Sequence, residues 1–333
     1  MIISRTPLRI SFFGGGTDYP AFYGEYGGAV LSTSINKYSY VICRYLPPFF
    51  DYKYRIRYTE REETTSISQI RHPSVRECLN FVNLDDHGIE IQHNADLPAM
   101  AGLGSSSAFT VGLLNSLYAL KGQLTTKRQL ALEAIHLEQD IIKENVGSQD
   151  QTAAAFGGFS RIEFGGRRKI WVQPIILEQS KIDFLQSHLM LFFTGFPRNA
   201  SEIAEEQIKK TPEKTKELKA MMKMVDAAVK ILNRNQDGYE DFGRLMDESW
   251  KLKRSLTDRI TSPQIDEIYE AAKGAGALGG KLLGAGGGGF MLLFARPEIQ
   301  HKIREKLNKL LYVPFQFHDL GSQIVYYAPE QNY

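Results

Sequence analysis

An α+β fold in two parts is what the sequence predicts, on three observations. Short alternating runs rich in Val, Ile and Tyr crowd the first half, the pattern of half-buried strands. Near residue 180 the texture changes, and a long polar region with helical patterning follows from Ser201 to about Arg254. The second half as a whole runs strand, helix, strand, helix, strand, which fits an α+β sandwich. The expected division is residues 1–180 and 181–333, each long enough to bury its own core.

Taken in order, Ile2–Phe13 alternates as a strand and breaks at Gly14-Gly15-Gly16-Thr17-Asp18. Ala29–Leu46 reads as one or two strands halted by Pro47-Pro48, and Lys53–Thr59 as a further strand. A short helix over His72–Val82 precedes a strand over Gly88–Asn94 that leads to Pro98. Helices are expected over Ser105–Leu120, with Ala108, Val111, Leu114 and Leu117 on one face, and over Lys127–Glu144. Phe159–Phe164 and Lys169–Val172 suggest a hairpin closed by Gly165-Gly166. Beyond the boundary, Ser187–Thr194 is an apolar strand, and the helical region is interrupted at Asn235–Gly238. Helix Pro263–Lys273, strand Phe290–Phe294, helix Pro297–Leu310 and strand Ser322–Tyr327 complete the chain.

Composition narrows the function classes. With 43% apolar and 23% charged residues and a net charge of +2, nothing invites nucleic acid or an anionic membrane. Cys43 and Cys78 make no metal or redox spacing. The N-terminus has no signal-peptide apolar stretch, and no apolar run of about 20 residues occurs. A soluble cytoplasmic protein is expected.

The stretch Pro98-Ala-Met-Ala-Gly102-Leu103-Gly104-Ser105-Ser106-Ser107-Ala108 is a glycine-punctuated loop running into an apolar helix. The first turn of a helix leaves backbone N–H groups without internal partners and carries partial positive charge. Glycines let an anion approach that end, and three hydroxyls add donors or a metal ligand, so the stretch reads as a phosphate cradle. An ordinary serine N-cap behind a glycine turn is the plainer reading. It is not the P-loop of other nucleotide-binding proteins, because no Gly-Lys-Ser/Thr follows the glycines.

Glu138 sits among Ala131, Ala134, Ile135, Ile141, Ile142 and Asn145 on the face of its helix that should meet the core. A buried carboxylate needs a cation, either Mg²⁺ or a neighbouring Arg or Lys. Asp150 is placed to cap a short alanine-rich helix or to serve as general base for an attacking hydroxyl. Asp18 is either a turn former or an acceptor for sugar hydroxyls. Gly284-Ala-Gly286-Gly287-Gly288-Gly289 has core-like segments at both ends, which favours a tight turn beside a ligand over a linker. Lys281 next to it meets a phosphate or is solvated. Arg167-Arg168-Lys169 reads as a solvated turn.

These pieces stand in one order along the chain. Arg9 with Gly14–Asp18, the Pro98–Ala108 stretch, Glu138 twelve residues before Asp150, and Gly284–Gly289 together resemble the GHMP kinases, a superfamily that includes galactokinase, homoserine kinase, mevalonate kinase and phosphomevalonate kinase. Thr6-Pro-Leu-Arg-Ile10 and Gln149-Asp-Gln…Phe156-Gly-Gly-Phe159 are most similar to the D-glycero-D-manno-heptose 7-phosphate kinases, with fucokinases next. The resemblance implies an N-terminal part like ribosomal protein S5 domain 2, a ferredoxin-like C-terminal part, and ATP and sugar in the cleft between. By that resemblance Pro98, Gly102, Leu103, Gly104, Ser105, Ser106 and Ser107 hold the nucleotide phosphates, with Ser106, or else Ser105 or Ser107, and Glu138 on Mg²⁺. Asp150 is the base, and Arg9 stabilises its charge and that of the moving phosphoryl group. Gly15, Gly16, Thr17 and Asp18 receive the sugar, Gly286 and Gly287 approach the substrate, and Arg198 and Lys281 match positions that meet a sugar phosphate. Galactokinases have Gly-Glu-His-Thr-Asp in place of Gly15-Gly-Thr-Asp18, which argues against galactose.

The implied reaction is phosphorylation of the anomeric hydroxyl of a heptose 7-phosphate, giving the 1,7-bisphosphate that leads to nucleotide-activated heptose for surface polysaccharide or glycoprotein. A fucokinase-like or other sugar-1-kinase, and a catalytically silent sugar sensor, are the alternatives. Partners are expected to be ATP and the sugar phosphate, in a monomer or homodimer.

Overall fold

A computed structural model describes residues 1–99, 101–166, 169–195, 200–234 and 238–329. β1 (Ile2–Phe13) pairs antiparallel with the 18-residue β2 (Gly28–Tyr45), and helix α1 (Pro20–Tyr26) lies in the link between them. The hairpin β3 (Tyr54–Arg57) and β4 (Arg61–Thr64) is followed by α2 (Pro73–Val82) and β5 (Ile89–Ala95). Helices α3 (Ser105–Leu120), α4 (Lys127–His136) and α5 (Gln149–Phe156) lead to the hairpin β6 (Phe159–Gly165) and β7 (Lys169–Pro174). The chain continues through α6 (Gln179–Ser187), β8 (Leu189–Phe193), α7 (Ala200–Lys210), α8 (Thr215–Leu232) and α9 (Glu240–Arg254). It then forms α10 (Pro263–Gly274), β9 (Gly279–Leu282), β10 (Phe290–Phe294) and α11 (Gln300–Lys306). Three short strands end it: β11 (Leu311–Tyr312), β12 (Phe317–His318) and β13 (Gln323–Tyr327).

The strands make a nine-stranded and a four-stranded sheet among the described residues. β2 is the spine of the first: β1 runs along one edge, while β6, β12 and β5 succeed one another along the other. The register of β1 on β2 slips between Pro7 and Arg9, where Pro7 has no N–H to give the ladder. The Arg9 N–H leaves the sheet for the Leu103 carbonyl at 3.0 Å. The second sheet runs β11-β8-β10-β9. Alternate residues of β8 and β10 enter different cores: Leu191, Leu292 and Phe294 join one, Met190, Phe192 and Leu293 the other. Burial on both faces is why these strands read as unbroken apolar runs.

Three expectations change. The last strand, expected in the second half, pairs with β1 at the edge of the first sheet. The helix expected to reach Glu144 leaves α-geometry at Leu137, passes through a π-turn over Leu137–Ile141, and carries a left-handed residue at Lys143. The region from Ser201 to Arg254 is three helices, the first pair separated around Pro212. Among the described residues no helix is long and apolar enough to cross a membrane.

The glycine run brings the end of the second sheet against the loop that precedes α3. Thr194 donates both its N–H and its hydroxyl to the Gly289 carbonyl at 2.9 Å. A Cβ on Gly289 would lie 2.3 Å from the Ala101 carbonyl oxygen, and its φ is +101°. Gly289→Ala should therefore lower stability by about 2–3 kcal/mol in denaturant unfolding. Gly24→Ala, in α1 with open space around the position, should raise it by up to about 1 kcal/mol.

Candidate active site

A cleft of about 410 Å³ opens where β1, the Gly14–Asp18 loop, the start of α3, residues 144–150, α7, α9 and β9 converge. Gly104 precedes α3 in the left-handed conformation, with no side-chain cap on the helix. A Cβ there would stand 3.4 Å from the side chains of Arg9 and Asp150. Ser105, Ser106 and Ser107 open the helix on the cleft wall, so its positive end faces the space where an anion would sit.

Arg9 is 5% exposed and bound on three sides. Its Nε donates to Asp150 Oδ1 and its second terminal nitrogen to Oδ2, both at 2.9 Å, and the other terminal nitrogen donates to the Gly102 carbonyl at 2.6 Å. Such a bidentate pair fixes the plane of the carboxylate. Asp150 is the second residue of α5; Ser148 holds the N-cap position. The Asp150 carboxylate is thus a partner of Arg9 on the cleft wall. Next to it Gln149 accepts from the Ser11 hydroxyl at 2.8 Å.

Asp18 lines the same cleft. Its Oδ1 accepts the Gly16 N–H at 2.9 Å, and its carbonyl accepts the Ser148 N–H at 2.8 Å. A Cβ on Gly147 would fall 1.9 Å from Asp18 Oδ2, so only glycine lets this carboxylate stand beside the Asp150 segment. Burial lifts the Asp18 carboxyl above its ordinary value, against the lowering bond from Gly16.

Glu138 is fully buried in the π-turn, one layer behind the cleft. Its Oε2 accepts from the Ser107 hydroxyl at 2.8 Å and from the Gln151 amide; its Oε1 makes no hydrogen bond among the described residues, although the Thr110 hydroxyl is near enough to act on the carboxyl. Burial, then the charge of Glu144, pushes the carboxyl up to about 7. The serine that touches Glu138 is therefore Ser107, while Ser106 is exposed on the cleft. Among the described residues no Lys or Arg pairs with Glu138. The apolar stripe around it is buried at Ala131, Ala134 and Ile135, but Ile141 turns outward, 37% exposed. An inserted residue in the π-turn shifts every later side chain round the axis.

Other expected residues fall elsewhere. Gly15, Gly16 and Lys281 line the cleft. Thr17 does not: it is fully buried, donating to the Gly14 and Ala29 carbonyls at 2.8 and 2.9 Å, and it holds the loop rather than a ligand. Leu103 is in the core, and Pro98 is exposed away from the cleft. Gly286 and Gly287 are also off the lining. A Cβ on Gly286 would meet Ile260 at 2.7 Å, and the Gly287 N–H donates to the Ile260 carbonyl at 2.8 Å. Those glycines serve close approach of backbone to backbone, leaving Gly284 and Ala285 on the cleft. Arg198 lies outside the described residues, as do Arg167 and Arg168. Lys253, Glu144 and Asn145 also line the cleft, although no motif marks them as site residues, and so does Gln149 of the Gln149-Asp-Gln motif. Lys253 carries no sequence mark because its spacing on a polar helix looks like any solvated lysine.

Comparison with known proteins places this geometry. The family model "GHMP kinases N terminal domain" matches residues 73–158, and "GHMP kinases C terminal" matches residues 230–313. D-glycero-alpha-D-manno-heptose 7-phosphate kinase of Campylobacter jejuni is 28% identical over 92% of this chain and 93% of its own length. The L-fucokinase/L-fucose-1-P guanylyltransferase of Bacteroides fragilis is 24% identical over 97% of this chain and 38% of its own. A crystal structure described as a D-glycero-D-manno-heptose 1-phosphate kinase from Bacteroides thetaiotaomicron superposes with a TM-score of 0.76. It is 25% identical and covers 97% of this chain and 98% of that one. Lactococcus lactis galactokinase, complexed with galactose, shares the fold with a TM-score of 0.73 at 18% identity, over 97% of this chain and 94% of its own. The two family models together match just over half of the sequence, and the chain belongs to the GHMP kinases, ATP-dependent phosphotransferases of two-part α and β architecture.

Proposed function

We propose that this protein transfers the γ-phosphoryl group of ATP to the anomeric hydroxyl of D-glycero-D-manno-heptose 7-phosphate, giving the 1,7-bisphosphate. The observation that carries the reading is one shared cleft holding the open end of α3, the Arg9–Asp150 pair and Asp18. The similarity to the Campylobacter jejuni heptose 7-phosphate kinase supports the choice of sugar. Phosphoryl transfer asks little covalent chemistry of a protein and much positioning. Backbone N–H groups at the start of α3 bind the nucleotide phosphates. Asp18 accepts hydrogen bonds from the sugar hydroxyls and turns the anomeric oxygen toward Asp150. The Asp150 carboxylate, held in plane by Arg9, takes the proton from that oxygen as it attacks, and Arg9 stays charged beside the transferring group.

The buried acceptors fit a magnesium ion. Among the described residues Glu138 Oε1 and Gln151 Oε1 are both buried without a hydrogen bond and no cation pairs with Glu138, and carboxylate with hydroxyl oxygen is the donor set a hard divalent ion takes. Glu138 with the Ser106 and Ser107 hydroxyls would hold it. Bound there, the ion would neutralise charge on the phosphates during transfer.

The decisive measurement is ADP release across a panel of sugars, with heptose 7-phosphate the best acceptor. A fucokinase-like enzyme would favour the free sugar, and a sensor would release no sugar-dependent ADP. Asp150→Asn should lower kcat by about 10²–10⁴-fold with ATP affinity retained; unchanged turnover removes Asp150 from the reaction. Glu138→Gln should raise the Mg²⁺ concentration needed for half-maximal rate, and an unaltered titration counts against it as a ligand.

Glu138 also gives a stability test with a fixed sign. Between its ordinary value of 4.5 and the folded value of about 7, the folded chain holds a proton that the unfolded chain has released. Stability from this group is therefore full below pH 4.5 and is lost as pH rises toward 7. In chelator, the melting temperature of wild type relative to Glu138→Gln should fall across that window, and Mg²⁺ should restore it near pH 7. A flat difference would mean that Glu138 does not titrate there.

A further inference from the structure

Two cleft lysines are buried with too few partners. Lys253, on α9, and Lys281, on β9, are each 5% exposed and both line the cleft. An ammonium has three N–H donors. Lys253 donates to Gln207 Oε1 of α7 at 2.6 Å, and Lys281 donates to the Phe12 carbonyl at 3.2 Å. Among the described residues neither makes an ion pair. Gln207 is not free to adapt, because its amide nitrogen donates to the Ala285 carbonyl at 2.7 Å, which turns its oxygen to Lys253. Burial depresses both ammonium groups, Lys253 to about 8 and Lys281 to about 7, with only the field of Asp18 opposing.

The charges around them do not balance. Arg9 and Asp150 pair with each other, and of the two carboxylates that remain on the cleft lining, Asp18 and Glu144, it is Asp18 that acts on the two ammonium groups. Burying a charge without compensation is strongly unfavourable, so a ligand anion is the missing partner. Position says which ligand. A Cβ on Gly16 would lie 3.7 Å from Lys253 Nζ, and Phe12, the partner of Lys281, precedes the same Gly14–Asp18 loop near the end of β1. The lysines thus stand on the wall of Asp18, the side on which a sugar kinase of this geometry receives its acceptor.

We propose that Lys253 joins Lys281, a position the family resemblance already gives to a sugar phosphate, in binding a phosphate monoester carried by the acceptor, and so makes the enzyme select sugar phosphates over free sugars. This rests on the reading of the cleft as that of a sugar kinase. It also gives α7 and α9 a function, since they carry Gln207 and Lys253 onto the acceptor. Lys253 is a specificity residue, and Gln207 positions it.

The test uses the full chain and two matched pairs, heptose 7-phosphate with heptose and mannose 6-phosphate with mannose. Binding is followed by calorimetry and turnover by ADP release. Wild type should prefer the phosphorylated member of a pair. Lys253→Met should shrink that preference roughly 10- to 100-fold, through KM and Kd rather than kcat, and Lys253→Arg should recover part of it. Lys281→Met is a second variant with the same expected direction, and circular dichroism establishes which variants are folded. An unchanged preference in the folded variants, an equal loss on both members of a pair, or a change confined to the KM for ATP would overturn the proposal. So would a wild type that binds free sugars as tightly as their phosphates, while leaving the kinase reading intact. Phosphate preference that depends on Lys253 with the mannose pair, but no turnover of heptose 7-phosphate, would sink the heptose reading and leave the lysine assignment standing.

Discussion

A single guanidinium brings together the segments that phosphoryl transfer needs side by side. Arg9 is rooted in β1, gives its backbone N–H to Leu103, one terminal nitrogen to Gly102, and its remaining donors to Asp150. Strand, glycine loop and α5 are thereby fixed to one another at a point almost closed to water. Taking such a group out of water is unfavourable unless its donors are met with good geometry, and here Asp150 and Gly102 meet all three nitrogens. The slip in the β1–β2 register beside Pro7 is part of the same construction, since it frees the Arg9 backbone from the ladder to meet the loop. The Gly104 position follows: its left-handed backbone brings the start of α3 to within contact distance of both members of the pair.

How much of this is legible in the sequence depends on whether a residue's role is set by its neighbours along the chain. The loop Gly102–Ser107 and the helix behind it are local features, and the chain announces them. Glu138 stands out because a carboxylate in an apolar stripe breaks a pattern. The π-turn that holds it does not, because nothing local distinguishes Leu137–Ile141 from a continuing α-helix. Thr17 and Gly286 mislead for one reason: a small or polar residue in a loop looks the same whether it meets a ligand or another part of the backbone. Lys253 escapes notice because its significance arises from burial by α7 and β9, remote in sequence. The last strand falls in the first sheet rather than the second because alternation reveals a strand but not its partner.

The cleft concentrates charge that the fold alone leaves unbalanced. Glu138, Asp18, Lys253 and Lys281 are all at least nine-tenths buried, and burial shifts each toward its neutral form. A protein selected for stability alone would have apolar residues at such places, since replacing buried charges by packed hydrophobic groups is often neutral or favourable. Groups of this kind accumulate where ligands complete them. Anything that binds the folded state and not the unfolded one stabilises it by mass action, so on the proposed reading substrate and metal would complete this charge balance.

Position also separates two roles. Arg9, Asp150, Glu138 and the serines of α3 all belong to the first sheet and the helices packed on it, joined by direct hydrogen bonds over a few ångströms. Lys253 and Gln207 come from helices of the second half, Lys281 from its sheet. The two groups meet across the cleft, where Lys281 donates to the Phe12 carbonyl of β1 and Lys253 stands beside the Gly14–Asp18 loop. A change in α7 or α9 can therefore alter which anion is met on the acceptor side while leaving the carboxylate, guanidinium and phosphate loop in register. That separation is the physical reason one phosphoryl-transfer apparatus can be fitted with different acceptor walls.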